Sequence, residues 1–409
     1  SSAIVTFAKS SNALTNQILL TANRKPYELF AIDPTQGLAR ALDFAASGDG
    51  PDDANLLYLL GQIDGLATSD EVSQALISLT PPSNNGLVQA SFSGMNVSFE
   101  RINERMYDLH LWMEQQARLQ SGINNGDKFG VLGFWAQALG ASLNQNGRDG
   151  LAGYDANSKG LALGVDWRYN DCSALGFAIS YNKADVNDKN QNPKDENIRS
   201  WQGTTYAWID LANGMYVNGI LGLAFNDYDV DRTIRFNQIN RVSHGNFDGW
   251  QFGLQTDAGW FLINNNEYFV TPFARLKYTL LNLDNYTETG AGPLSLSVES
   301  QSLDQLLGGV GVKFGKPFVS KHLVFIPEVT TFLSYDFVND GEQTTASFVG
   351  NSLAFDTNGI TPGKVAFDFG VGVSTHIDEQ SIFTIKYDLT LRNHFNANSG
   401  YLEYYYLWG

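Results

Sequence analysis

This chain of 409 residues is poor in several things, and each shortage excludes something. It has one cysteine, Cys172, so an intrachain disulfide and any cysteine-based metal cluster are ruled out. Cations are scarce: 26 Lys and Arg against 43 Asp and Glu leave a net charge of −17, which argues against a nucleic-acid partner. No run of 18 apolar residues occurs, so the sequence offers no transmembrane helix. A membrane is not thereby excluded, because spanning barrels hide their hydrophobicity in alternation. Hydrolase signatures are missing: there is no Gly-x-Ser-x-Gly elbow and no Gly-Asp-Ser-Leu. The five histidines, at 110, 244, 322, 376 and 394, lack metal-ligand spacing. We therefore expect no catalytic residue, no cofactor and no metal. The chain opens on Ser1 without an initiator Met or a signal peptide, which predicts a fragment or processed form.

What is present is organised around one stretch, Asn96 to Asn125, which reads as a long helix. Ile102, Met106 or Tyr107, Leu109 and Met113 recur at helical spacing, widened by Leu111, Trp112 and Leu119. Ser98 to Gln120 contains no Gly or Pro, and Gly122 with Asn124 and Asn125 closes it. Arg101, Glu104, Arg105, Asp108, Glu114 and Arg118 make it too polar to face lipid. If it crosses a membrane, it does so inside a polar pore.

Before it, Ile4–Phe7, Gln17–Leu20 and Tyr27–Phe30 read as short strands. Leu38 to Leu79 shifts to helical spacing, with a capping box at Thr68 and Glu71. Gly48–Pro51 and Thr80–Gly86 are breaks, the second being the best linker before the helix. After Lys128 the period becomes two. Val365, Phe367, Phe369, Val371 and Val373 alternate with Ala366, Asp368, Gly370, Gly372 and Ser374, and comparable runs cover 161–169, 175–182, 250–257 and 383–392. The second face mixes Gly and Ala with charges, which suits a narrow polar lumen with something filling it. Aromatics at strand ends form a girdle: Trp167 and Tyr169, Trp260 and Phe261, Tyr335 and Phe337, and Tyr404 to Trp408. Twelve strands are expected, near 129–141, 157–170, 174–187, 200–211, 214–235, 246–262, 267–287, 302–317, 322–338, 364–376, 381–395 and 400–408. Short turns alternate with long polar loops at 142–156, 187–198, 236–245, 287–301 and 339–362. The spacing predicts an all-β membrane protein: an antiparallel outer-membrane barrel that follows the helix and a small mixed segment. The divisions are 1–92, 93–126 for the helix, and 127–409 for the barrel.

The phase of the strands puts Asp166, Asp257, Arg275, Lys277, Asp368, Lys386, Asp388 and Arg392 on the inner side. Some of these are expected to pair with the helix charges, since buried charges need partners or water. Gly308-Gly309-Val310-Gly311 lies in strand alternation, so close packing on the plug explains it better than a phosphate loop. Asp185 to Glu196 lacks calcium-loop spacing and reads as a solvated loop.

With these features in place, the sequence resembles the translocator of a classical monomeric autotransporter, the type V secretion system of Gram-negative bacteria. The resemblance rests on Ile102-Asn103-Glu104-Arg105-Met106-Tyr107-Asp108-Leu109, Phe134-Trp135-Ala136-Gln137-Ala138-Leu139-Gly140, Gly153-Tyr154-Asp155-Ala156 and Gly160 to Asp166, with the aromatic C-terminus, and covers residues 96–409. It implies a bacterial outer-membrane barrel of twelve strands with the α-helix in its pore, acting as a monomer in outer-membrane lipid. It implies an N-terminal passenger domain carried to the cell surface and anchored there. It also implies periplasmic chaperones and a barrel-assembly machinery reading the last strand, with Leu402, Tyr404, Tyr406 and Trp408 facing lipid. Gly409 departs from the family habit of ending on the aromatic. Some members cut themselves between two adjacent Asn in the pore. The matching positions here are Glu100 and Arg101, so self-cleavage is not expected. The competing readings are a stand-alone porin or adhesin-like barrel, and a soluble β-rich binding protein.

Overall fold

The structure is a computed structural model. It describes the chain apart from residues 1, 13–16, 49–52, 83–84, 120–130, 149, 171, 265–267, 321–322, 339–340, 350–352, 379 and 409, with the backbone alone at 11–12, 17, 19, 110–119, 131, 212 and 263–264. Asn124, Asn125, Gly409 and the side chains of Glu114 and Arg118 lie outside the described residues.

The alternating region closes into a twelve-stranded antiparallel barrel. An N-terminal hairpin supplies β1 (Val5–Asn12) and β2 (Gln17–Arg24). The wall then runs β3 (Val131–Gln145), β4 (Tyr154–Asn170), β5 (Ser173–Asp188), β6 (Lys194–Asp210), β7 (Met215–Phe236) and β8 (Ile239–Trp260). It continues with β9 (Tyr268–Leu283), β10 (Gln301–Gly315), β11 (Leu323–Asp336), β12 (Val365–His376), β13 (Ser381–Arg392) and β14 (Phe395–Trp408). Each wall strand pairs with its sequence neighbour, and β14 pairs with β3, with Tyr401 opposite Leu139, so neither terminal strand is left as an edge.

The outer surface carries the large apolar side chains. On β7, Met215, Val217, Leu221, Leu223 and Phe225 point out and are exposed. Asp227 and Asp229 follow on the same face and pair with Arg199 at 3.0 Å each. The apolar span of about eleven residues matches what a tilted strand needs to cross a bilayer. Trp167, Tyr169, Trp260, Tyr335 and Phe337 face outward as the girdle requires. Phe261 does not: it is buried inside, 5.1 Å from the ring of Tyr107 and 4.8 Å from Tyr216. The strand period breaks there, beyond the end of β8 at Trp260, so alternation cannot be extended through it.

Other boundaries move where strands leave the apolar band. Residues 236–245, expected as a loop, are the continuing β7–β8 ladder, turned at Asn237 with φ +47°. Lys194 to Ile198 belongs to β6. The last hairpin turns at Asn393-His394, with His394 at φ +59°, and β14 begins at Phe395 rather than near 400. Outside lipid a strand's outer face need not be apolar, so the alternation that marks it fades. The loops expected at 287–301 and 339–362 also contain strand: Tyr286–Thr287, Leu296–Val298, Gln343–Phe348 and Ala354–Asn358 form a separate four-stranded sheet.

That sheet is the base for the N-terminal segment. Helices α1 (Gln36–Ala46), α2 (Ala54–Asp64) and α3 (Ser69–Leu79) fall where the period predicts. The capping box forms, with Glu71 N donating to Thr68 Oγ1 and Thr68 N to the Glu71 carboxylate. Tyr27–Leu29 is a 3₁₀ turn rather than a strand, with Tyr27 buried and its hydroxyl donating to Asp64 at 2.7 Å. Leu38, Leu42, Leu60, Ile63 and Leu76 share one core with Ile234 and Phe236 at the end of β7 and with Leu296 and Phe348 from the long loops. Residues 2–82 thus cap the long-loop end of the barrel. Arg232, fully buried, fixes the joint: it pairs with Glu288 through Nε at 2.9 Å and donates to the Ser78 and Leu294 carbonyls. Lys194 Nζ donates to Thr80 Oγ1 at 3.1 Å and to the Pro81 carbonyl at 3.0 Å.

Candidate functional site: the helix-filled pore

Helix α4 spans Gly86–Leu119, 34 residues or about 51 Å at 1.5 Å each, longer than the bilayer core is thick. It starts at Gly86, seven residues before the expected boundary. The break comes at Asn85, at φ +63°, whose side chain donates to the Ile360 carbonyl. From Gly86 on, Leu87, Val88 and Phe92 pack on the upper wall and extend the helical stripe upward.

One side of α4 is greasy and lies on β4 to β8. Met95, Phe99, Ile102, Met106 and Leu109 pack among Ala162, Ala174, Ala178, Ile220 and Ala224. Two glycines make room. A Cβ on Gly222 would stand 2.6 Å from Phe99 Cε1, and one on Gly253 would stand 2.4 Å from Met95 Sδ. The Gly308–Gly311 run does something else. A Cβ on Gly311 would stand 2.6 Å from the Phe273 ring, and Phe273 stacks on Phe332 across it at 5.5 Å. Those glycines fit aromatic rings of neighbouring strands, not the plug.

Lower on α4 every described side chain from Arg101 to Leu109 is buried, and the charges meet partners. Arg101 reaches Asp388 at 2.6 Å, donates to Ser399 Oγ at 2.8 Å and lies 4.5 Å over the Tyr401 ring. Glu104 accepts from both Lys313 and Lys386, and Lys386 also binds Glu328. Arg105 pairs with Asp166 and with Glu403 at 3.1 Å, between the Trp135 and Tyr405 rings. Asp108 accepts from Ser374 Oγ at 2.8 Å and Thr384 Oγ1 at 3.3 Å. Tyr107 donates to or accepts from Thr271 Oγ1 at 2.9 Å. Charged hydrogen bonds in so dry a place are strong when made and costly when half-made.

Of the inner-face charges read from the sequence, Asp166, Lys386 and Asp388 bind α4 directly. Asp257 pairs with Arg275 at 2.6 Å and touches Asn103 at 3.5 Å. Lys277 has Glu100 at 3.8 Å. Asp368 accepts from Thr390 instead, and Arg392 lies 5.8 Å from the Phe395 ring. Lys313, Glu328 and Glu403 carry equal weight and were missed. Their signal was present: each sits in inward phase between outward apolar residues, as Glu403 does between Leu402 and Tyr404. Leu402, Tyr404 and Trp408 are exposed on the outer face and Tyr406 is half-buried.

A family model described as the autotransporter β-domain matches residues 134–388. Outer membrane protein B of Rickettsia conorii is 24% identical over 280 residues, covering 67% of this chain and 17% of that protein. Outer membrane protein A of Rickettsia rickettsii is 24% identical over 375 residues, covering 86% and 16%. The chain therefore spans about a sixth of the length of these curated relatives. Among solved structures, the translocator domain of autotransporter NalP from Neisseria meningitidis aligns with a TM-score of 0.55 at 15% identity, over 72% of this chain and 95% of that one. That likeness is one of fold.

Proposed function

The chain belongs to the autotransporter β-domain family, and from that premise we propose that α4 is the residual track of a passenger delivered through, or with help from, this barrel. The protein is an outer-membrane translocator. One observation carries the passenger reading. The chain enters the wall at the short-turn end of β3, yet residues 2–82 stand at the long-loop end, joined to it by a helix inside the pore. A chain laid out that way has its N-terminal part across the membrane from the start of its wall. A passenger N-terminal to residue 86 would then stand at the cell surface, with the long loops beneath it.

In this reading α4 remains as plug and anchor, held by Arg101, Glu104, Arg105 and Asp108, and no step of it needs a catalytic residue. Glu114 and Arg118 extend the same polar series. Arg101 sits in an ion pair at the position where some relatives carry the second Asn of their cut site, so the chain stays continuous. The outward series Leu402, Tyr404, Tyr406 and Trp408 is what a barrel-assembly machinery would read. The helix seated in the pore speaks against a freely open porin.

An epitope inserted at residues 13–16, between β1 and β2, tests the layout. Antibody should label it on intact cells, and a denaturing gel should show one band. Labelling only after permeabilisation would overturn the layout, and a fragment beginning near residue 101 would overturn the uncut chain.

A further inference from the structure

Burial along α4 changes abruptly. The face Gln89, Ser93, Asn96 and Glu100 is only part-buried although it lies inside the barrel, whereas everything described from Arg101 to Leu109 is buried. The helix leans on β4 to β8, so the gap opens on the opposite side, against β9 to β14 and β3. It is a cavity with about 80 Å³ of room for water centres, floored near Arg275, Asp368 and Glu100. At about 10–15 Å³ per water that is space for roughly five or more molecules. A smaller cavity of about 20 Å³ shares Gln89, Phe92 and Gln305 with it as walls and continues to Asn85, Glu342 and Pro362 at the long-loop end.

The lining is polar and under-partnered. Asn96 Oδ1, Asp336 Oδ1 and both Nε and Nη1 of Arg392 are buried without a protein partner. Lys277, 4% exposed, has Glu100 only at 3.8 Å. Buried groups of this kind are satisfied by water.

We infer that the plugged barrel keeps a water-filled half-channel, open to the cell-surface side and admitting water and small ions as far as Glu100, and that the permeability barrier is confined to the ion-pair layer from Arg101 to Asp108. This rests on α4 being seated in the pore, and it adds where the seal lies. A uniformly packed plug would have no hydrated outer half.

Single cysteines in a Cys172→Ser background of the full 409-residue chain test it, folded in detergent and treated with methyl methanethiosulfonate, with modification followed by mass spectrometry. Ser93→Cys on the helix and Ala141→Cys on the wall both line the cavity. Ser374→Cys lies in the sealed layer, and Ser98→Cys on the packed face of α4. The first two should react at least tenfold faster than the last two. Protection of both cavity positions to within threefold of Ser374→Cys would overturn the half-channel and leave the plug intact. Equal, fast reaction at all four would overturn the seated plug itself. Using one cavity position on the helix and one on the wall guards against either variant failing to fold, which heat-modifiable gel migration reports.

Discussion

Replacing Glu104 with Gln should open the pore. The carboxylate is buried between Lys313 and Lys386, and among the described residues its removal leaves Glu328 as the carboxylate within ion-pair distance of either ammonium group. Lys386 keeps that partner, whereas Lys313 is left with the Tyr107 ring at 4.0 Å. Breaking a buried pair from one side costs roughly 3–5 kcal/mol, because an uncompensated charge stays behind. At about 1.4 kcal/mol per tenfold, the balance between seated and unseated helix should move by two to three and a half orders of magnitude. The assay is single-channel recording in planar bilayers, where the variant should show open events at least a hundredfold more often than the parent. Because these charges are screened little by salt, the difference should survive in 1 M KCl. Adding Lys313→Met, which removes the stranded charge, should restore most of the closure. If Glu104→Gln closes as the parent does, or if Lys313→Met makes matters worse, the ion-pair layer is not what holds the helix.

Gly222→Val should drive a side chain into Phe99, costing about 1–3 kcal/mol by overpacking, and Phe99→Ala should relieve it; thermal unfolding of both variants decides. Arg232→Ala should loosen the cap by a similar buried-pair cost, seen as rapid proteolysis within residues 1–82 while the barrel keeps its heat-modifiable migration. The cap joint should also be least stable near neutral pH. Burial pushes the carboxyl of Glu342 up to about 7, so its ionisation costs stability as pH rises from about 4.5 to 7. Burial of Lys194 pulls it down to about 7, so stability is regained as pH rises from there toward 10.5. Glu196, also raised by burial, deepens the fall, and Glu342→Gln should shallow the acid limb in protease-protection titrations.

How much of this was legible beforehand differs by element. Along β12 the outward Val365, Phe367 and Phe369 and the inward Asp368 are fixed by a period of two, and the structure keeps that phase. The start of α4 was harder. Gly94 interrupts the pattern, and Leu87, Val88 and Phe92 look like any apolar run until a wall is placed around them. Phe261 was misread because it lies at a break between β8 and the short strand segment Leu262–Asn264, where alternation is interrupted.

The sequence alone determined that strands would alternate, which face would meet lipid, that a polar helix had to be sheltered, and which end would bear long loops. Those properties follow from rules that act over two to seven residues. Only the tertiary structure decided that Arg105 meets Glu403, 298 positions away, that Lys313 and Lys386 share one carboxylate, and that the first eighty residues sit on the long loops. Those partners are set by closure of the wall and by where the helix leans, and neither is written in any local stretch of chain.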